Sequence, residues 1–290
     1  MDQGEQSVVT TRGLRVRYGS RDAVDGVDLR VGAGEVVALL GPNGAGKTTT
    51  IEVLEGFRER SAGDVRVLGV DPGRGDEAWR ARIGVVLQSW RDHGRWRVRE
   101  LLSYLALFYA PYRAHVFDVD ELLDLVGLTD HADARIGVLS GGQRRRLDVA
   151  AGLVGRPDLL FLDEPTVGFD PEARQGFHEV VRRLTGTAIL LTTHDLAEAE
   201  KLADRIVVLV AGRVVADGTA AELAERIAGK AEVRYRLDGV EHVRSVADAT
   251  GFVRELFAEH GRRVEDLGVR RASLEDVYLS LVRESEAVAA

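Results

Sequence analysis

Cysteine is missing from this 290-residue sequence. Its absence excludes disulfide scaffolds, thiolate zinc sites, iron–sulfur clusters and cysteine nucleophiles. Long apolar runs are missing as well. The best stretches, Val36–Leu40, residues 159–162 and residues 206–211, fall far short of the roughly 18–20 residues that span a bilayer. The opening Met1-Asp2-Gln3-Gly4-Glu5-Gln6 has neither the basic start nor the apolar stretch of a signal peptide. A cytosolic protein is the expectation, reaching a membrane only by docking onto another protein there. Basic side chains are in deficit, 39 against 47 acidic ones, for a net charge of −8. That takes weight from a dedicated nucleic-acid binder. No internal duplication or low-complexity tract is present. What remains is a chain with 45% apolar residues, enough to bury the core of one large domain or of a large and a small one.

The apolar residues fall into two periods. Leu14, Val16 and Tyr18 alternate with polar neighbours, as do Val27, Leu29 and Val31, and then Val65 and Val67. This predicts an antiparallel sheet with one wet face. Val36-Val37-Ala38-Leu39-Leu40 is continuously apolar and reads as a strand buried on both faces, as do residues 84–87, 159–163, 188–193 and 206–210. Helical spacing lies between them, in Val98, Leu101, Leu102, Leu105, Phe108 and Tyr109 and again in Val119, Leu122, Leu123 and Val126. Such alternation predicts an α/β core around a mostly parallel sheet, with a helical insert over about 91–156. The pattern restarts after Thr219. Val233, Tyr235 and Leu237 alternate, Phe252, Val253, Leu256 and Phe257 keep helical spacing, and residues 264–270 read as a further strand. Ser273 and Asp276 form a capping pair ahead of the stripe Leu274, Val277, Tyr278, Leu281 and Val282. The expected domains are 1–219 and a small α/β appendage over 220–290.

Three segments carry chemistry. Gly41-Pro42-Asn43-Gly44-Ala45-Gly46-Lys47-Thr48 fits G-x-x-x-x-G-K-[ST] without a mismatch, after a buried strand and before the apolar-periodic Ile51, Leu54 and Phe57. Glycines there let backbone N–H groups cradle phosphate oxygens, and the following helix adds the positive end of its dipole. Lys47 is placed to reach the β- and γ-phosphates and the Thr48 hydroxyl to bind Mg²⁺. The motif specifies a nucleoside triphosphate without naming the base. The second segment, Leu159-Leu160-Phe161-Leu162-Asp163-Glu164, is an apolar strand ending in two acids. At a strand end opening into the ligand crevice, Asp163 can hold Mg²⁺ and Glu164 can polarise a water. The third, Leu139-Ser140-Gly141-Gly142-Gln143, opens a helix marked by Leu147, Ala150, Ala151 and Val154, with Ser140 as N-cap. Free N–H groups and a hydroxyl make it a second phosphate-binding end.

In order and spacing these segments resemble the ATP-binding subunit of an ABC (ATP-binding cassette) transporter. The resemblance covers about residues 7–220 and adds a Q-loop glutamine, Gln88, a D-loop, Val167-Gly168-Phe169-Asp170, and a switch histidine, His194. It implies a P-loop NTPase (RecA-like) core with an antiparallel β subdomain and a helical insert. It implies that Tyr18 stacks on adenine, that Gln88 meets Mg²⁺ and the attacking water, and that His194 senses the γ-phosphate. The family's head-to-tail dimer then sandwiches each ATP between the phosphate loop through Thr49 of one copy and Ser140, Gly141, Gly142 and Gln143 of the other. The D-loop departs from the frequent Ser-Ala-Leu-Asp but keeps Asp170, so its dimer contact is expected to survive. Residues 89–97, rich in Arg and Trp, are either a solvated cation–aromatic cluster or a partner-docking surface.

Arg271-Ala272-Ser273-Leu274-Glu275-Asp276-Val277-Tyr278 is similar to the tail of drug-resistance (daunorubicin-type, ABC-2) exporter ATPases, with Ala272 for their Pro and Tyr278 for their Phe. This implies a regulatory or dimer-stabilising tail and a subunit on the inner face of the cell membrane. Powered by ATP with Mg²⁺, it would drive a separate permease that exports drugs, antibiotics or lipid-like compounds. Two other readings compete with this one. A soluble ATPase of the same family acting on nucleic acid or ribosomes would carry inserted coiled coils or two cassettes, and neither is present. A GTPase would carry Asn-Lys-x-Asp, which is absent.

Overall fold

The computed structural model describes residues 7–86, 93–227 and 231–270, together with Glu275 and Tyr278. Gln88, residues 89–92 of the Arg/Trp-rich segment, the capping pair and the tail stripe except Tyr278 lie outside the described residues. The chain divides into two compact units, Met1–Val215 and Ala216–Ala290.

In chain order the first unit starts with β1 (Ser7–Tyr18), β2 (Arg21–Gly32), β3 (Val36–Leu40), α1 (Lys47–Leu54), β4 (Ala62–Val67), α2 (Glu77–Arg80) and β5 (Ile83–Val86). The insert follows with α3 (Val98–Tyr109), α4 (Val119–Leu125) and α5 (Gly141–Leu153). Then come β6 (Leu159–Asp163), α6 (Pro171–Arg183), β7 (Ala188–Thr193), α7 (Leu196–Leu202), β8 (Arg205–Val210) and β9 (Arg213–Gly218). The remainder holds α8 (Ala220–Ile227), β10 (Ala231–Leu237), β11 (Val240–Val246), α9 (Ala249–His260) and β12 (Val264–Arg270).

The antiparallel sheet has the order β2-β1-β4. Along β1 the buried residues are Val9, Thr11, Leu14 and Val16. The step of three between Thr11 and Leu14 is a bulge, where the pairing with β2 shifts. Without it the period of two would turn Leu14 to water. The second sheet runs β5-β6-β7-β3-β8-β9, and β3 pairs parallel with β7 and β8, as do β5 with β6 and β6 with β7. Its central strands are apolar on both faces because each face is covered. Val37–Leu40, Leu159–Leu162 and Ile189–Leu191 are all fully buried. Each such Val or Leu contributes about 1.5–3 kcal/mol on transfer from water. One continuous core joins the two sheets, with Leu14, Val27, Leu39, Ile51, Phe161 and Leu190 among its members. β9 went unread in the sequence, since Ala211-Gly212 turns too tightly to leave a loop; both residues have positive φ, 48° and 79°.

Helix starts are set by short acceptor side chains. Asp118 caps α4, Asp170 caps α6 ahead of Pro171, and Asp195 caps α7. In the second unit an antiparallel sheet of order β11-β10-β12 packs Val233, Tyr235 and Val264 against Leu256 of α9.

Candidate active site

The phosphate loop is built on β3. Gly41 leaves the strand against the β8 backbone, where a Cβ would run into the Leu209 carbonyl. Gly46 caps α1 with φ 100°, and a Cβ there would meet the Ala23 carbonyl. Only glycine satisfies both the space and the left-handed backbone. Lys47 is buried, at 6% exposure. Its ammonium donates to the Gly41 carbonyl at 2.7 Å and lies 3.2 Å from Glu164 Oε1. The Thr48 hydroxyl lies 3.4 Å from both oxygens of Asp163.

Parallel register explains why these groups meet. Leu40 aligns with Thr193 across β3 and β7, and Asp163 aligns with Thr192 across β6 and β7. The residues following these three strands therefore emerge side by side at one sheet edge, the side where open α/β sheets bind ligands. Thr192 was not foreseen from sequence. Its hydroxyl donates to Asp163 Oδ1 at 2.5 Å and accepts the Glu164 N–H at 2.9 Å. Glu164 itself has φ 45°, a strained conformation for a side-chain-bearing residue. Its Oε2 accepts from His194 Nδ1 at 2.7 Å, so the two oxygens of one carboxylate face a lysine and a histidine. Tyr18, 45% exposed, borders the same cleft of about 620 Å³ as Asn43–Thr49, Glu164 and His194. The Arg58 guanidinium lies 5.0 Å from the centre of its ring.

The signature segment behaves as expected for a helix start. Ser140 Oγ accepts the Gln143 N–H at 3.3 Å, and Gln143 Oε1 accepts the Ser140 N–H at 2.9 Å, a reciprocal capping box. The Gln143 amide nitrogen also contacts His131 Nε2 at 2.8 Å. Gly142 lets α5 approach α6, since a Cβ would come within 2.8 Å of Ala173 Cβ. Ser140, Gly141, Gly142 and Gln143 share a second cleft, of about 670 Å³, with Asp170. That cleft is separate from the one around Lys47. The structure thus gathers Tyr18, Gly41–Thr49, Asp163, Glu164 and His194 in one place and Ser140–Gln143 with Asp170 in another.

Two further links were invisible in the sequence. Arg145, on the signature helix, donates through Nε to the Pro165 carbonyl at 2.9 Å, tying α5 to the turn after Glu164. Burial lowers its pKa, with Asp148, Asp163 and Glu198 opposing. Glu198 is buried on α7, and burial raises its pKa while the hydroxyls of Thr193 and Thr166 bond to it and pull it down. Those threonines flank His194 and follow Glu164, so one carboxylate spans both loops. Glu55, the residue ending α1, is raised to about 8 by burial and then by the charges of Asp163 and Glu52.

The ABC transporter family model matches residues 24–167, which hold the phosphate loop, the signature and both acids. A daunorubicin resistance ATP-binding protein of Streptomyces coeruleorubidus is 39% identical over 94% of each chain. This chain belongs to the ABC transporter ATP-binding family. A Nod factor export ATP-binding protein I of Cupriavidus metallidurans is 38% identical, over 95% of this chain and 97% of that one. Among solved structures, an ATP-binding subunit of an ABC transporter superposes with TM-score 0.67 at 25% identity, covering 94% of this chain and 99% of the other. As a member of this ABC family the chain binds ATP and is an ATPase. The soluble, nucleic-acid-acting alternative finds no support among these relatives. Among the described residues no helix is long and apolar enough to cross a membrane.

Proposed function

We propose that this ABC ATPase pairs head to tail with a second copy around two ATP molecules and drives a separate permease on the inner face of the cell membrane. The observation that carries the reading is the separation of its two phosphate-binding helix starts. Lys47 and Ser140 line different clefts of one chain, so each is half of a site that a second copy completes. Near-full-length likeness to drug-resistance and Nod-factor-export ATP-binding proteins supports export, with drugs, antibiotics or lipid-like compounds as the cargo class.

The chemistry follows from the side chains. Lys47 and Glu164 neutralise each other across 3.2 Å. An arriving γ-phosphate competes for the ammonium and releases Glu164 Oε1 toward water, where it acts as general base. The bond from His194 Nδ1–H holds the other oxygen, so the carboxylate turns about a fixed point. Tyr18 offers a ring face to adenine. The Thr48 hydroxyl and Asp163 are hard oxygen donors, suited to Mg²⁺ with phosphate oxygens and water completing its shell. Mg²⁺ would supply charge neutralisation on the phosphates. Gln88 is assigned, by resemblance alone, to the same metal and water.

Replacing Glu164 by Gln removes the base but keeps the shape. The expected outcome is an ATP-dependent dimer, seen by size-exclusion chromatography with light scattering, and loss of turnover. A Glu164→Gln chain that stays monomeric at saturating ATP would overturn the reading.

A further inference from the structure

The capping box at Ser140 has a third member. A backbone N–H can only donate, so the Gln143 atom facing the Ser140 nitrogen at 2.9 Å is the carbonyl oxygen Oε1. The atom facing His131 at 2.8 Å is then the amide nitrogen, which has only hydrogens to offer. His131 Nε2 must accept, so the ring is neutral and carries its proton on Nδ1. Both polar ends of the Gln143 side chain are engaged within the chain. With one lone pair given to the Gln143 N–H, the Ser140 hydroxyl keeps its own proton free to donate outward.

His131 is held firmly enough to do this. It ends the short 3-10 turn Thr129–His131. Its carbonyl accepts the Ala134 N–H at 3.0 Å, and the carbonyls of Ala132 and Ala134 accept the Arg99 and Val98 N–H groups at 2.9 and 3.1 Å. The next residues are tied as well, Ile136 N–H to the Trp96 carbonyl and Gly137 N–H to the Gly94 carbonyl, both at 2.9 Å. The imidazole therefore projects from a turn that is bonded into the start of α3.

We propose that His131 is a positioning residue for the signature segment, holding Gln143 so that the Ser140 hydroxyl and the first N–H groups of α5 keep the geometry that meets a phosphate. This rests on the proposed head-to-tail reading, in which that phosphate is the γ-phosphate of ATP bound by the second copy. Family resemblance assigned Gln143 to the nucleotide directly. Here its side chain serves the cap, and the nucleotide meets what the cap presents.

The test uses the full chain in the Glu164→Gln background and two readouts. Imidazole ¹⁵N NMR should find His131 with its unprotonated nitrogen at Nε2, and Gln143→Ala should remove the hydrogen-bond shift of that signal. His131→Leu should weaken the ATP-dependent dimer about tenfold, because at each of two equivalent seams the Ser140 cap loses the support of an intrachain bond of ordinary strength. ATP affinity of the single chain should stay unchanged, and the melting temperature should fall by no more than about 2–4 °C. His131→Gln, which keeps an acceptor at about the place of Nε2, should restore the dimer. An unprotonated Nδ1, or a His131→Leu dimer as tight as that with His131 intact, would overturn the proposal. No ATP-dependent dimer even with His131 intact would instead sink the head-to-tail reading, and the NMR result would still judge the contact itself.

Discussion

One hydroxyl does two tasks at Thr192. It fixes the Asp163 carboxylate and satisfies the N–H of a strained Glu164. Thr192→Val keeps the shape and β-branching but orphans that N–H. The expected result is a fall in kcat of about tenfold or more with KM for ATP little changed, because the loss falls on the orientation of the base. Steady-state ATPase kinetics decide it. A second residue-scale effect belongs to Glu55, raised to about 8. An acid raised on folding holds its proton in the native state over a range where the unfolded chain has released it. Stability therefore falls as pH rises from about 4.5, the unfolded value, to about 8, and is level above that. Glu55→Gln removes the titration. It should match the parent in melting temperature near pH 4.5 and exceed it by about 2 °C or more at pH 8.5, as read by scanning calorimetry at the two pH values. Neither role could be read from the chain, because Thr192 is one of two threonines ending an apolar run and Glu55 an ordinary glutamate. Partners from other strands and helices make them significant.

At the scale of elements, the phosphate loop was the most legible part. Glycine spacing, the preceding apolar run and the following helical period lie within a dozen neighbours, and local sterics enforce them. The bulge in β1, the short β9 and β11 were less legible, since each depends on pairing with a strand already in place. Arg145 shows the same limit. In sequence it is one of three consecutive arginines, 144–146, yet it is buried and bonded to the Pro165 carbonyl. Arg145→Met leaves that carbonyl without its donor and frees α5 from the end of β6. A loss of about 1–3 kcal/mol in unfolding free energy and a drop in turnover are expected together, the first by chemical denaturation. Retained stability with retained turnover would show that the link carries no load.

For the whole molecule, the division of labour between two clefts makes a prediction that no single-chain enzyme shares. Lys47→Ala should lose nucleotide binding or hydrolysis, and Ser140→Arg should block the opposing seam. Each alone is expected to be inactive. Mixed, they form some dimers in which an intact Lys47 faces an intact Ser140, and turnover should reappear. Failure of the mixture to recover any phosphate release would argue that each chain works alone. The second unit, with its sheet of order β11-β10-β12, lies outside this experiment, and deletion after Thr219 tests the regulatory or dimer-stabilising role that the tail resemblance implies.

The sequence by itself determined the family and the nucleotide class and proposed the reacting side chains, because those depend on short motifs whose geometry is local. It also determined the alternation of buried strands and helices, through the periods of two and 3.6 that burial imposes. The tertiary structure alone decided which residues hold the reacting ones in place: Thr192 through the register of β6 and β7, Glu198 through the packing of α7, and His131 through the turn bonded to α3. Such support is set by contacts between residues far apart in the chain, and a hydrogen bond leaves no local pattern when only the fold brings donor and acceptor within 3 Å.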